Sequence, residues 1–545
     1  MLIWSLIVYR LFFLQVIKYP YYQNLAKKQQ GFTQILEPKR GDIYFKSKEG
    51  NLVKAATTKV GALVYLNMKN LKDPEMVYSK LNAITPLDRV TFNKLIAKIN
   101  DPYEILKHKI SRDEAEKIAI LSLPGVGLEE ERWRFYPADN LASHVLGFVA
   151  PTESEHSMEG QYGVEELYDT ALRGASGKIA ADKDANGLLI ALSAQFKEEA
   201  KEGEDIILTL EPTLQKNVEI ELLKLLGKWK AKSGGVIIID PKTGKIRALA
   251  AYPNFHPGEY QKTENLGTFL NPFNEKIFEL GSVFKPLTMA AAIDAGVLGP
   301  KTTYIDKGEI RIADRTIKNF DGKARGLRTM TQVLEESLNT GAVFAMQQLG
   351  GEKLKDYFYK FGLAEKSNIE LPGEVSGDLS NLDSGREVEF ATASFGQGIA
   401  VTPIELAMAL ASLSNGGMLV QPSILEESSV KTVRRVIKPE SSETITKMLV
   451  EVVDNSLAGG KAKLAHYSIA AKTGTAQMAN QNGAGYSDQF LHSFFGYFPA
   501  YDPKFLIFMF LEKPQGVKYA SQSMTDSFSA LVEFLINYYT ILPDR

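Results

Sequence analysis

Three short strings constrain this chain more than any other feature: Ser282-Val-Phe-Lys285, Ser337-Leu-Asn339 and Lys472-Thr-Gly-Thr475. Ser282 and Ser337 are 55 residues apart, and Ser337 and Lys472 are 135 apart. Together the strings supply what a serine needs to attack a carbonyl at neutral pH: a base, a proton relay and a place for the developing oxyanion. A fold that uses them must bring a helix, a turn and a strand from distant parts of the chain to one cleft.

Each string is weak alone. Gly281-Ser282 precedes an Ala-rich stretch, Leu287 to Ala295, that stops at Gly296. This predicts a helix with Ser282 at its N-terminus and Lys285 three residues on, on the same face. Free N–H groups and the helix dipole there favour an acyl oxygen, and burial would let Lys285 act as a base. An isolated Ser-x-x-Lys is more often a helix cap beside a surface lysine. Ser337 and Asn339 follow a helical stretch, Met330 to Glu336, and Asn339-Thr-Gly341 reads as a helix end or tight turn. The hydroxyl can pass a proton and the amide can hold a substrate carbonyl, although a capping pair is the commoner role. Lys472 to Thr475 continues a strand from Ser468 to Ala471. On an edge strand, Gly474 would let a substrate backbone pair closely, with Thr473, Thr475 and the Lys472 charge as a carboxylate receptor. Alone, it is a strand end with a Gly turn. Met478 to Gln489, rich in Asn and Gly, reads as a mobile loop over the cleft.

Length and composition narrow the rest. A chain of 545 residues suggests three or four units of about 150 residues. Net charge is −2, so nothing points to nucleic acid. The absence of Cys excludes disulfides, thiolate metal sites and a Cys nucleophile. The six His residues are scattered without metal-ligand spacing, and no metal or cofactor is expected.

Residues 1–17 are almost all apolar, broken by Ser5, Arg10 and Gln15. As a helix they would rise about 26 Å, just short of a ~30 Å hydrocarbon core. Lys18-Tyr-Pro-Tyr-Tyr22 follows in place of a small-residue cleavage site, which favours an uncleaved anchor over a signal peptide. No basic flank precedes Met1, so the start is read as lying inside the membrane helix, with Arg10 snorkelling outward. The remainder would be extracytoplasmic.

Residues 18–35 read as a polar helix ended by Pro38-Lys-Arg-Gly-Asp-Ile43. Short strands such as Gly61 to Tyr65 and helices such as Arg112 to Ala119 follow, and residues 196–205 read as a solvated connector. A second unit begins near Ile206, with strands at Gly235 to Asp240 and Lys245 to Ala251 and then helices and loops through Gly417. Strands follow around Tyr467 to Ala471, Phe494 to Phe498 and Phe505 to Leu511, and a helix closes the chain from Ser521 to Tyr539. The pattern is α+β, a sheet with helices on it.

With the three strings in order, further strings carry a resemblance. They are Arg40-Gly-Asp-Ile43, Arg134-Phe-Tyr-Pro137, Ala142-Ser-His-Val-Leu-Gly147 and Gly160-Gln-Tyr-Gly-Val-Glu165. Phe395-Gly-Gln-Gly398, Thr402-Pro403 and Ser493-Phe-Phe-Gly496 complete the set. On these the chain resembles, over nearly its whole length, a class B penicillin-binding protein, a monofunctional peptidoglycan transpeptidase. The resemblance implies a membrane anchor over 1–17 and a non-catalytic, elongated α+β pedestal (dimerisation or interaction domain) over 18–200. It implies a penicillin-binding/serine β-lactamase-like transpeptidase domain over 201–545, an antiparallel sheet with helices on both faces. It further implies that Ser282 is acylated by a D-Ala-D-Ala stem peptide with Lys285 as base. Ser337 would relay the proton and Asn339 would bind the donor. Lys472 would support relay and carboxylate, and Thr473, Gly474 and Thr475 would bind substrate. The backbone N–H groups of Ser282 and Thr475 would form the oxyanion hole. Implied partners are stem peptides with an amine acceptor, β-lactams, the membrane, a SEDS-type glycan polymerase and other division or elongation proteins; implied localisation is a single-pass bacterial membrane protein. The chain departs from the family at Leu280, where Pro is frequent, at Leu338, where Asp is frequent, and at Tyr44-Phe-Lys46, where an Asp-Arg pair is more usual. Two other readings are a DD-carboxypeptidase or β-lactamase on the same fold, and a penicillin sensor or scaffold without turnover.

Overall fold

The computed structural model describes residues 2–22, 31–36, 38–98, 103–152, 158–182, 195–480 and 485–545. Two compact units interleave along the chain. The smaller holds residues 1–42, 57–133 and 169–205, and the larger holds 43–56, 134–168 and 206–545.

In the smaller unit, strand Gly177–Asp182 lies between Gly31–Leu36 and Gln195–Glu198, antiparallel to both. The helix expected over 18–35 is therefore replaced by a strand over 31–36, because pairing with a distant segment outweighs local propensity. The rest of that expected helix lies largely outside the described residues. The connector expected over 196–205 likewise begins within a strand. A second cluster forms where residues 62–66 pair with 104–110. Three helices, Pro74–Asn82, Arg89–Ile96 and Arg112–Ile120, cover it with Val77, Leu81, Phe92 and Ile118. Asp73, Asp88 and Ser111 cap these helices, and the last forms a capping box with Glu114. Arg40 pairs with Asp169 at 2.7 Å, and Thr57 donates to Asp42.

The apolar N-terminal segment forms the helix Leu2–Phe12 and a π-helical turn Phe13–Ile17. Among the described residues no helix is long and apolar enough to cross a membrane.

The larger unit is built on five strands: β1 (Ser233–Ile239), β2 (Ile246–Tyr252), β3 (Ala470–Ala479), β4 (Tyr486–Phe498) and β5 (Phe505–Glu512). Their order is β2-β1-β5-β4-β3, antiparallel throughout, which leaves β3 on an edge. The unbroken apolar run Phe505 to Leu511 is what a strand covered on both faces requires. On one face Val236, Ile238, Phe494 and Met509 pack with α1 (Pro212–Trp229) and the closing helix, and Phe494 stacks on Phe528 at 4.3 Å. On the other face Phe510 meets Phe273 and Phe278. Among the helices beyond α1 are α2 (Lys285–Asp294), α3 (Met330–Glu335), α4 (Asn339–Leu349), α5 (Pro403–Ser412), α6 (Pro439–Glu451) and α7 (Thr525–Tyr539). Tyr497 of β4 shares a 2.8 Å hydrogen bond with Thr446 of α6.

Residues 134–168 are integral to this unit. Arg134 donates to Glu165 at 2.6 Å, with both side chains buried. The Ala142 N–H donates to Glu219 of α1, and Phe148 stacks on Tyr260 at 4.3 Å beside Phe255 and Phe269. Two expectations of the sequence are corrected. The region read as helices and loops before Gly417 also contains two strand pairs, Thr303–Asp306 with Gly326–Thr329 and Glu309–Ile312 with Arg315–Lys318. The final helix is broken at Met524, where φ is −110° and ψ −18°, so that Ala520–Ser523 stands apart from α7.

Candidate active site

Ser282 sits in a 3-10 turn, Gly281–Phe284, and α2 begins only at Lys285 with Pro286 in its first turn. Ser282 thus precedes the α-helix predicted to start with it, and Lys285 opens that helix. Gly281 has φ +67°, the left-handed region, and a Cβ there would lie 3.2 Å from the Thr475 backbone. Glycine thus serves both the turn and the close approach of the nucleophile segment to β3. Leu280, fully buried, stands where proline is frequent. Its carbonyl accepts from Ser493 of β4 at 2.7 Å.

Ser337 occupies the turn between α3 and α4 at φ +53°. This uncommon conformation for a non-glycine residue turns its carbonyl toward Lys285. The Lys285 Nζ donates to the Ser337 carbonyl at 2.5 Å and to the Ser337 Oγ at 3.2 Å. Asn339 is the first residue of α4 rather than the helix end predicted from Asn339-Thr-Gly341, and its Nδ2 donates to the Lys318 carbonyl at 2.8 Å.

Lys472 reaches the same hydroxyl from β3. Its Nζ donates to the Ser337 Oγ at 2.9 Å and to the Thr473 carbonyl at 2.9 Å. Both lysines are nearly inaccessible, 1% exposed for Lys285 and 2% for Lys472. Burial pulls Lys472 down to about 7. Burial, and then the Lys472 charge, hold Lys285 well below the ordinary lysine range.

Lys285 directs two N–H bonds at Ser337, one at its carbonyl and one at its Oγ. The Ser337 Oγ accepts from both lysines, so its single proton is free to be donated into the cleft.

Gly474 lies in β3 opposite Ser493. A Cβ on Gly474 would fall 2.6 Å from the Leu280 carbonyl oxygen and 3.1 Å from the Val283 nitrogen. The glycine is thus required by contact with the nucleophile turn. The Thr475 Oγ accepts from the Ala520 N–H at 3.0 Å. Ser282, Ser337, Asn339, Lys472, Thr473 and Thr475 line one cleft of about 1190 Å³. That exceeds the roughly 300–1,000 Å³ of small-molecule pockets and suits an extended peptide. Phe320 and Tyr519, whose ring centroids are 5.3 Å apart, meet at its rim. The arrangement can perform acyl transfer through a serine ester.

Of the residues singled out in the three strings, Lys285 and Gly474 do not line this cleft: Lys285 is buried against Ser337, and Gly474 packs against the nucleophile turn. The loop predicted over 478–489 is instead formed by the arms of the β3–β4 hairpin on either side of residues 481–484, which lie outside the described residues. Sequence reasoning missed the Ser493–Leu280 bond, the Asn339–Lys318 bond and the support of Thr475 by Ala520. Ser493 opens a string already quoted above, which is the one signal that could have found it.

A family profile for the penicillin binding protein transpeptidase domain matches residues 234–533, and one for the penicillin-binding protein dimerisation domain matches 35–208. The chain is similar to the stage V sporulation protein D of Bacillus subtilis, with 30% identity over 93% of this chain and 79% of the relative. It is also similar to the peptidoglycan D,D-transpeptidase FtsI of Escherichia coli, with 29% identity over 84% of this chain and 76% of the relative. Its fold matches the crystal structure of penicillin binding protein 2X from Streptococcus thermophilus with a TM-score of 0.78 at 20% identity, over 93% of this chain and 80% of that one.

Proposed function

The chain belongs to the class B penicillin-binding proteins, and from that premise we propose that Ser282 is the nucleophile of a peptidoglycan D,D-transpeptidase that cross-links stem peptides during division or elongation. The observation that carries this reading is the convergence on the Ser337 hydroxyl of Lys472 and of Lys285, the latter three residues along the chain from Ser282.

The reaction runs in two halves. Lys285 takes the Ser282 proton as Oγ attacks the carbonyl carbon of the penultimate D-Ala. The oxyanion lies between the N–H groups of Ser282 and Thr475, and Asn339 holds the donor peptide. Thr473 and Thr475 bind the terminal carboxylate, with Lys472 adding positive charge while protonated. The C–N bond breaks as the proton, passed through Ser337, reaches the departing D-Ala nitrogen. An acceptor amine then attacks the ester and loses its proton back through the same groups, and Ser282 regains its hydroxyl. A β-lactam enters the same first half through its amide carbonyl and stays attached.

We read the N-terminal apolar segment as part of a membrane anchor, with the catalytic unit extracytoplasmic. A SEDS-type glycan polymerase is the partner this placement favours. The test of the central reading is capture of a fluorescent penicillin by purified protein. A long-lived covalent adduct on the wild type and none on Ser282→Ala are expected. Rapid turnover of the β-lactam would instead indicate a hydrolase.

A further inference from the structure

His492 is fully buried in β4 and takes no part in the reaction just described. It lies directly opposite Thr475 in the β3–β4 register. Directly opposed residues of an antiparallel pair project to the same face of the sheet. The His492 Nε2 lies 3.1 Å from the Lys518 carbonyl oxygen, and its Nδ1 lies 2.7 Å from the Ser523 Oγ. A carbonyl can only accept, so Nε2 carries the proton and Nδ1 accepts from the Ser523 hydroxyl. Burial lowers the imidazole to about 4, so the ring is neutral at physiological pH and keeps this tautomer.

The two bonds fasten both ends of one short segment. Lys518 precedes the turn into Ala520–Ser523, and Ser523 ends that helix. Between them, the Ala520 N–H holds the Thr475 Oγ at 3.0 Å. A hydroxyl that accepts from below presents its own proton to the other side, toward the cleft that Thr475 lines. We propose that His492 is a positioning residue: by bracketing residues 518–523 it fixes the Ala520 N–H, and through it the direction in which Thr475 offers its proton to the donor carboxylate. The inference rests on the transpeptidase reading above and adds a determinant of carboxylate recognition to it.

The experiment compares acylation of the full chain by benzylpenicillin and by its methyl ester, in which the carboxylate is masked. Thr475→Val sets the scale for losing the hydroxyl. For His492→Leu, the second-order acylation constant is expected to fall about tenfold with benzylpenicillin and less than twofold with the ester, the size expected when one hydrogen bond to a charged group is misaligned. His492→Gln, which can keep the donor to the Lys518 carbonyl, should recover part of that difference. If the His492 variants do not fold, Ser523→Ala removes the partner of Nδ1, together with the 3.3 Å contact of Ser523 Oγ with the Ala520 carbonyl, and should still lose more with the acid than with the ester. Equal losses with both compounds, or no loss in any variant, would overturn the proposal. A Thr475→Val protein that does not distinguish acid from ester would overturn it too. A wild type that forms no adduct with either compound would overturn the acyl-transfer reading itself, and the proposal with it.

Discussion

At the residue scale, the site depends on lysines kept from their usual charge. As the proposed base Lys285 acts unprotonated, so acylation should rise with pH through its depressed pKa and fail on the acid side. Lys472 contributes to that depression by its positive charge. Replacing Lys472 with Gln removes the charge, raises the Lys285 pKa and moves the acid limb of the acylation profile to higher pH. A pH series of β-lactam acylation rates reads this directly, and an unmoved or lowered limb would contradict it. The two lysines share Ser337, so the measured limb belongs to the coupled pair. Ser337→Ala removes the relay while leaving the base in place. It should slow acylation by about 10²- to 10⁴-fold, the usual range for losing a positioned proton-transfer group.

At the element scale, the register between β3 and the nucleophile turn is set by contact. Gly474 faces Leu280 and Val283 too closely for any side chain. A Gly474→Ala chain must separate strand and turn by a few tenths of an ångström or more. Displacing reacting groups by up to about 1 Å can cost about 10²-fold in rate, so acylation should fall by that order while far-UV circular dichroism stays unchanged. Asn339 ties the start of α4 to the hairpin Glu309–Ile312/Arg315–Lys318. The helix on which it sits was foreseen only as a helix end. Local sequence there is turn-like, and the continuation depends on burial of Ala342, Val343, Ala345 and Met346, which the tertiary fold supplies.

At the scale of the whole molecule, residues 134–168 belong to the same compact unit as residues 206–545. Residues 134–168 share its interior, and Arg134 and Glu165 form a buried pair within it. Arg134→Ala leaves the Glu165 carboxylate buried without that partner, which for such pairs costs about 3–5 kcal/mol. Thermal unfolding should show a Tm several degrees lower, and Glu165→Gln should be milder. A chain beginning at residue 206 would lose the Ala142–Glu219 bond and uncover Phe255 and Phe269, which Phe148 now covers. We expect it to aggregate where the full chain remains monodisperse by size-exclusion chromatography.

The sequence by itself determined the chemical inventory and much of the scaffold. Ser282, Lys285, Ser337, Lys472 and Thr475 were legible as candidates because acyl transfer needs groups of those types. The strands β1, β2 and β5 and the helices α2 and α3 were legible because local periodicity and capping encode them. The N-terminal strand Gly31–Leu36, the paired strands between residues 303 and 329 and the break at Met524 were not, because pairing and packing with distant segments decide them. Only the tertiary structure brought the two buried lysines to one hydroxyl. The two N–H bonds that Lys285 spends on Ser337, the bracket of His492 around residues 518–523 and the fit of Gly474 against Leu280 join segments more than fifty, twenty-five and one hundred and ninety residues apart. A hydrogen bond and a van der Waals contact are short-ranged, so their partners follow from where the folded backbone brings each group, and no local pattern in the chain encodes that meeting.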